Sequence, residues 1–129
     1  MFELTINDKA YAFNFGFGFM REIDPKITKK IDGVSGKVQH MGLRYAVAGI
    51  IDGDVNDLVD VLTTANKGFE PRLTRSDIEK HIENSDTDID TLFKDVLGFL
   101  RTANCTKKTV ANLEEAIAEK KEATENQTE

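Results

Sequence analysis

The chain has 129 residues, a formal net charge of −6 and a single cysteine, Cys105. A protein that must neutralise phosphates or anionic lipid wants the opposite sign, so nucleic-acid and membrane-surface binding are disfavoured. One thiol excludes an internal disulfide and a thiolate-rich metal site. Hydrophobic residues make up 40%, enough for one modest core, and charged residues 31%, enough for a well-solvated surface.

The N-terminal third carries most of the aromatic mass, with five of the eight Phe inside the first nineteen residues. In residues 2–6, Phe2, Leu4 and Ile6 alternate with Glu3 and Thr5. In residues 10–15, Tyr11, Phe13 and Phe15 alternate with Ala12 and Asn14. Period two puts each trio on one face of a strand. Asn7-Asp8-Lys9 supplies residues that tolerate positive φ, so the two runs read as a hairpin. A lone hairpin is marginal in water, and its apolar face must lie on helices. Gly16-Phe17-Gly18-Phe19 lets the backbone bend into a helix, on which Phe19, Met20, Ile23 and Ile27 fall near helical spacing until Pro25 interrupts.

Residues 32–42 hold three glycines and few large side chains and read as a mobile surface loop. Leu43, Val47, Ile50 and Ile51 mark the next helix, which Asp52-Gly53-Asp54 breaks. Val55, Leu58, Val59 and Leu62 mark another, closed by Gly68 and Pro71. Thr74, with Asp77 three residues on and Leu73 and Ile78 flanking the pair, is a capping box with a hydrophobic staple. After Asn84-Ser85-Asp86, a longer helix carries Ile89, Leu92, Phe93, Val96, Leu97 and Leu100, with Asp86, Asp88 and Asp90 at its favourable N-terminal end. A last helix starts near Thr106 with a thin stripe of Val110, Leu113 and Ile117, and the sequence turns charged and polar from Glu119. The expected fold is α+β, mainly α: an N-terminal β-hairpin packed on about five helices. Residues 1–113 form one compact domain, and 114–129 are a charged helix end and disordered tail. The start of the chain lacks a basic stretch followed by a long apolar one, so no signal peptide is expected. The longest apolar stretch, Ala46 to Ile51, is too short to span a bilayer.

No catalytic, cofactor or metal motif completes itself. After Gly16-Phe17-Gly18 a nucleotide loop needs glycine where Arg21 stands. Asp52-Asp54-Asn56 and Asp86-Asp88-Asp90 begin like calcium loops but have Asp57 and Thr91 for the glycine, Thr63 and Leu97 for the glutamate. They read instead as helix-capping acids. His40 and His81 are distant from each other and read as solvated surface residues, and Cys105 as a structural thiol between helices.

Two stretches carry a family likeness. One runs from Glu3-Leu4-Thr5-Ile6-Asn7 through Tyr11, Phe13 and Phe15-Gly16 to Gly18-Phe19-Met20-Arg21-Glu22-Ile23-Asp24. The other takes in Pro71-Arg72, Asp77-Ile78-Glu79, Asp88-Ile89-Asp90-Thr91-Leu92-Phe93, Phe99-Leu100 and Asn104-Cys105-Thr106-Lys107-Lys108-Thr109-Val110. Together, over roughly residues 2–113, they resemble the tail assembly chaperones of long-tailed phages and prophages of Gram-positive bacteria. The resemblance implies a non-enzymatic protein of the host bacterial cytoplasm, absent from the mature virion, with no cofactor. Its implied partner is the tape measure protein, held soluble during tail assembly, with the tail tube protein a further one. It also implies a longer, frameshifted form in many members.

A structural or adaptor subunit of the tail is the alternative, and an enzyme would need a deep polar pocket with a shifted titratable group. A protein that holds amphipathic helices offers exposed apolar surface. Phe17, which points off the Phe19–Ile23 face, Phe69 in a Gly-Pro loop and Phe99, displaced from the Val96–Leu100 stripe, are the candidate protein-binding residues. The alternative for each is a half-buried neighbour of the core. Self-association fits a protein that coats a long partner in many copies.

Overall fold

A computed structural model describes residues 2–33 and 36–127. Strands β1 (Phe2–Ile6) and β2 (Lys9–Phe13) pair antiparallel, with Phe2 opposite Phe13 and Leu4 opposite Tyr11. This register gathers Phe2, Leu4, Ile6, Tyr11 and Phe13 on one face, as the alternation predicts. Asn7 and Asp8 make the two-residue turn at φ 52° and 64°, the left-handed pair whose twist suits a hairpin. Helix α1 (Phe17–Ile23) follows, then a 3₁₀ turn (Asp24–Lys26) with Pro25 at its start.

The expectation for residues 32–42 needs correction, and so does the single hairpin. Thr28–Lys30 (β3) and Val38–His40 (β4) form a second antiparallel ladder, and Gly42 already belongs to the next helix. Ile27 is extended, not helical. All six strand residues are exposed, so no buried face imposes the alternation from which a strand is recognised.

The remaining helices are α2 (Gly42–Asp52), α3 (Val55–Ala65), α4 (Arg75–Glu83), α5 (Ile89–Thr102) and α6 (Lys107–Gln127). That makes six α-helices among the described residues, where about five were expected. The fold class is the expected one, α+β and mainly α. Three helix starts are capped as their sequences suggest. Asp54 accepts from the backbone N–H of Asn56 and Asp57, Thr74 from that of Asp77, and Asp88 from that of Thr91. Leu73 and Ile78, the staple, are both fully buried. Helix α2 has no cap of its own. Asp24 Oδ1 reaches across to accept from Leu43 N–H at 3.2 Å. Helix α6 is helical well beyond Ile117, through much of the stretch read as a tail, because Glu, Ala and Lys are strong helix formers. Residues 128 and 129 lie outside the described residues.

The core joins the inner hairpin face to α2, α3, α5 and the start of α6. Ile6, Phe13, Val47, Leu58, Val61, Leu62, Val96, Leu100 and Val110 are fully enclosed, each contributing roughly 1.5–3 kcal/mol. Two glycines permit close approach. A Cβ on Gly42 would lie 1.9 Å from the Ile23 carbonyl oxygen, and one on Gly49 would lie 1.7 Å from Asp57 Oδ2.

One buried polar side chain ties the parts together. Asn66, at the end of α3, donates from Nδ2 to the carbonyls of Ala12 (3.0 Å) and Pro71 (3.3 Å), and its Oδ1 accepts from Leu73 N–H at 2.6 Å. Beside it, Asn14 N–H donates to the Ala65 carbonyl at 2.9 Å. Asn66 is wholly buried and its bonds are buried or part-buried, so each lost bond leaves a backbone group short of a partner. Asn66→Ala is expected to lower stability by about 3 kcal/mol in urea denaturation. A loss of under about 0.5 kcal/mol would show that the amide is dispensable.

Asp57 generates a second expectation. Burial pushes its carboxyl above the ordinary value of 3.8, with Asp54 and Asp60 nearby pushing the same way. The folded chain therefore holds this proton longer than the unfolded one. Its contribution to stability is full below pH 3.8 and is lost as pH rises through the raised folded value. Asp57→Asn is expected to raise the neutral-pH Tm and to flatten its acid-to-neutral dependence in thermal melts.

Candidate functional site

The surface around α1 is shaped by the crossing of hairpin and helices. Phe17 is the most exposed large apolar side chain described, at 71%. The seven-residue α1 turns Phe19 and Ile23 into the core, which leaves the position two residues earlier pointing outward. On one side lies an open hollow of about 510 Å³ with Gly18, Phe19, Ala65 and Phe69 among its walls and Arg21, Glu22 and Lys67 at its rim. On the other lies a hollow of about 330 Å³ formed by Phe2, Phe15, Gly16 and the Ala103–Cys105 turn. Asn14 borders both. Phe17 lines neither hollow; its chain neighbours Gly18 and Gly16 line one each, so its exposed side chain forms a ridge beside both.

The three candidate phenylalanines are placed differently. Phe69 is half-buried and lines the larger hollow, held by the turn in which its N–H donates to the Asn66 carbonyl at 3.1 Å. Phe99 is also half-buried. Its ring lies 4.8 Å from that of Phe2 and 6.2 Å from that of Phe15, and Phe15 in turn meets Phe19 edge-on at 5.1 Å. Phe99 is therefore a half-buried member of the aromatic cluster that includes two walls of the smaller hollow, Phe2 and Phe15. Sequence spacing distinguished Phe17 from the core but not Phe69 or Phe99, because cross-element ring contacts leave no local period.

Two of the three charges around the larger hollow are paired. Lys67 Nζ donates to Glu22 Oε1 at 2.7 Å. The carboxylates with displaced pKa values, Asp57, Asp88 and Glu114, line neither hollow. For Asp88 and Glu114 the shift is downward, caused first by side-chain hydrogen bonds from Thr91 and Arg101. Among the described residues no group of His, Cys, Asp and Glu is arranged to hold a metal ion. No described helix is long and apolar enough to cross a membrane. The larger hollow combines apolar walls with three charged residues, and no charged residue lines the smaller one.

Residues 3–115 match the family model of the phage tail assembly chaperone protein, TAC. The chain belongs to the phage tail assembly chaperones. The match spans the hairpins, every helix through α5 and the first turns of α6, so Phe17 and, Phe2 apart, the walls of both hollows lie within the family's part of this chaperone. No curated protein and no solved structure matches it.

The placement separates surface from support. In this chaperone Phe17→Ala is expected to change unfolding free energy by no more than about 0.5 kcal/mol. Phe99→Ala is expected to cost about 2 kcal/mol through the gap left against Phe2 and Phe15. Guanidinium unfolding of both variants checks the contrast, and equal losses would remove the distinction.

Proposed function

We propose that this chaperone binds the tape measure protein in the host cytoplasm, keeps it soluble during tail assembly and carries out no chemical step. The observation that carries the reading is the Phe17 ridge with its two apolar-walled hollows, inside the family-matched residues. A tape measure protein exposes long amphipathic helices before it is enclosed. Such a helix seats large apolar side chains three and four positions apart, and two shallow hollows on either side of a ridge suit successive anchors. The Glu22–Lys67 pair at the rim stays wet and sets orientation more than affinity.

The displaced carboxylate most suggestive of chemistry gives the enzyme reading little support. Asp57 borders a hollow of only about 100 Å³, below the roughly 300 Å³ at which small-molecule sites begin. The proposal places the chain outside the finished virion, released as tail tube subunits add, whereas a structural subunit of the tail would remain.

The deciding experiment is co-expression with the tape measure protein. The soluble fraction of that protein is expected to rise several-fold with this chain and to fall back when Phe17→Ala and Phe69→Ala are combined. An unchanged soluble fraction would refute the proposal. Recovery of the chain in purified virions would favour the tail-subunit alternative.

A further inference from the structure

The smaller hollow does not end at its own walls. Phe2, which lines it, and Leu4, two residues on, share one face of β1. On α5, Leu92, Asp95 and Phe99 follow one another at helical spacing and share a face. The rings of Phe2 and Phe99 lie 4.8 Å apart, and Leu4 and Leu92 together line an open groove of about 460 Å³. A seam between β1 and α5 thus joins the apolar hollow to this groove. From Leu92 to Phe99 the helix rises about 10 Å, close to two turns.

The two ends of the seam differ in charge. The hollow has no charged lining residue, whereas Asp8, Asp86, Asp88 and Asp95 all line the groove. They come from the hairpin turn, the α4–α5 linker and α5 itself. No Lys or Arg lines the groove, and none of the four acids forms an ion pair among the described residues. His81, which also lines it, has Nδ1 3.4 Å from Asn7 Oδ1. Bonds from Thr91 hold the Asp88 carboxylate in place and favour its ionised form. Four like charges therefore stand beside an apolar wall with no cation of this chain to offset them. An arriving cation relieves their repulsion, and an arriving anion adds to it.

We infer that the β1–α5 seam docks an amphipathic helix of a partner protein, with an apolar side chain in the small hollow and Lys or Arg residues, about two turns away, in the acidic groove. A helix presents apolar anchors at the spacing the seam requires. Lys and Arg suit the groove because their aliphatic stems can lie along Leu4 and Leu92 while their heads reach the carboxylates. The same carboxylates reject acidic segments and nucleic acid. Since one end is apolar and the other acidic, charge also sets which way the helix runs. The inference rests on the reading that a client helix uses the smaller hollow, and it adds the basic residues that such a helix must carry.

The test is fluorescence anisotropy of the full chain with two labelled helical peptides, one of Leu, Ala and Lys and one with Glu for every Lys. The Lys peptide is expected to bind at least about tenfold tighter than the Glu peptide, and to lose much of that advantage at high salt. Replacing its Leu by Ala is expected to weaken it as well. Combining Asp8→Asn, Asp86→Asn and Asp95→Asn is expected to cost at least about tenfold in affinity for the Lys peptide. Neutralising three exposed acids elsewhere (Asp32→Asn, Asp52→Asn, Glu70→Gln) is expected to cost less than about twofold. The side chains of Asp8, Asp86 and Asp95 form no ion pair among the described residues, Asn tolerates the positive φ at position 8, and thermal melts check folding. If the triple variant unfolds, Asp95→Asn alone carries the same readout with a smaller loss. Equal binding of the Lys and Glu peptides overturns the inference, as does an equal loss in the groove and control variants. So does a groove variant that alters only association of the chain with itself, which would assign the groove to a second copy. Co-expression separates this inference from the function proposed above. A client kept soluble equally well by the wild type and the groove variant overturns the inference alone, whereas a client left insoluble by the wild type overturns the proposed function.

Discussion

The Asn66 side chain sits where three pieces of chain that have little else in common must meet. The hairpin brings Ala12, helix α3 brings the residue itself, and the approach to α4 brings Pro71 and Leu73. An amide has a donor end and an acceptor end, so it can satisfy carbonyls on one side and an N–H on the other in a single buried position. A hydrophobic residue there would fill the volume yet leave those groups unmet. The burial of Leu73, and with it the staple that starts α4, depends on this bond, as does the seating of β2 against the end of α3.

The surface features follow from that junction. Asn14, one residue beyond β2, is fixed by its bond to Ala65 and borders both hollows. From there the chain has only Phe15 and Gly16 before α1 begins, so the orientation of α1 is set by where β2 is anchored. Phe15 and Phe19 are drawn into the aromatic cluster, and Phe17, between them, is left outside. The ridge is thus a by-product of burying its neighbours.

Legibility in the sequence tracked burial. The first hairpin could be read because one face of each strand is inside, and α4 because a cap and a staple are local signals. The second hairpin could not, because strands with no inner face have no pattern to show. Asn66 stood in the sequence as an ordinary residue near a helix end, since its three partners are brought to it only by the fold. The same limit applied to the candidate site. Phe17 is distinguished by its phase on a helix, whereas Phe69 and Phe99 are defined by what lies across from them.

The exposed arm between α1 and α2 has a consequence for how this molecule can change over generations. Positions that contribute nothing to the interior are not constrained by it, so Lys29, Lys30, Ile31 and Val38 can be replaced without disturbing the fold's energetics. The arm can drift, or track a drifting neighbour, at a pace the aromatic interior could not tolerate.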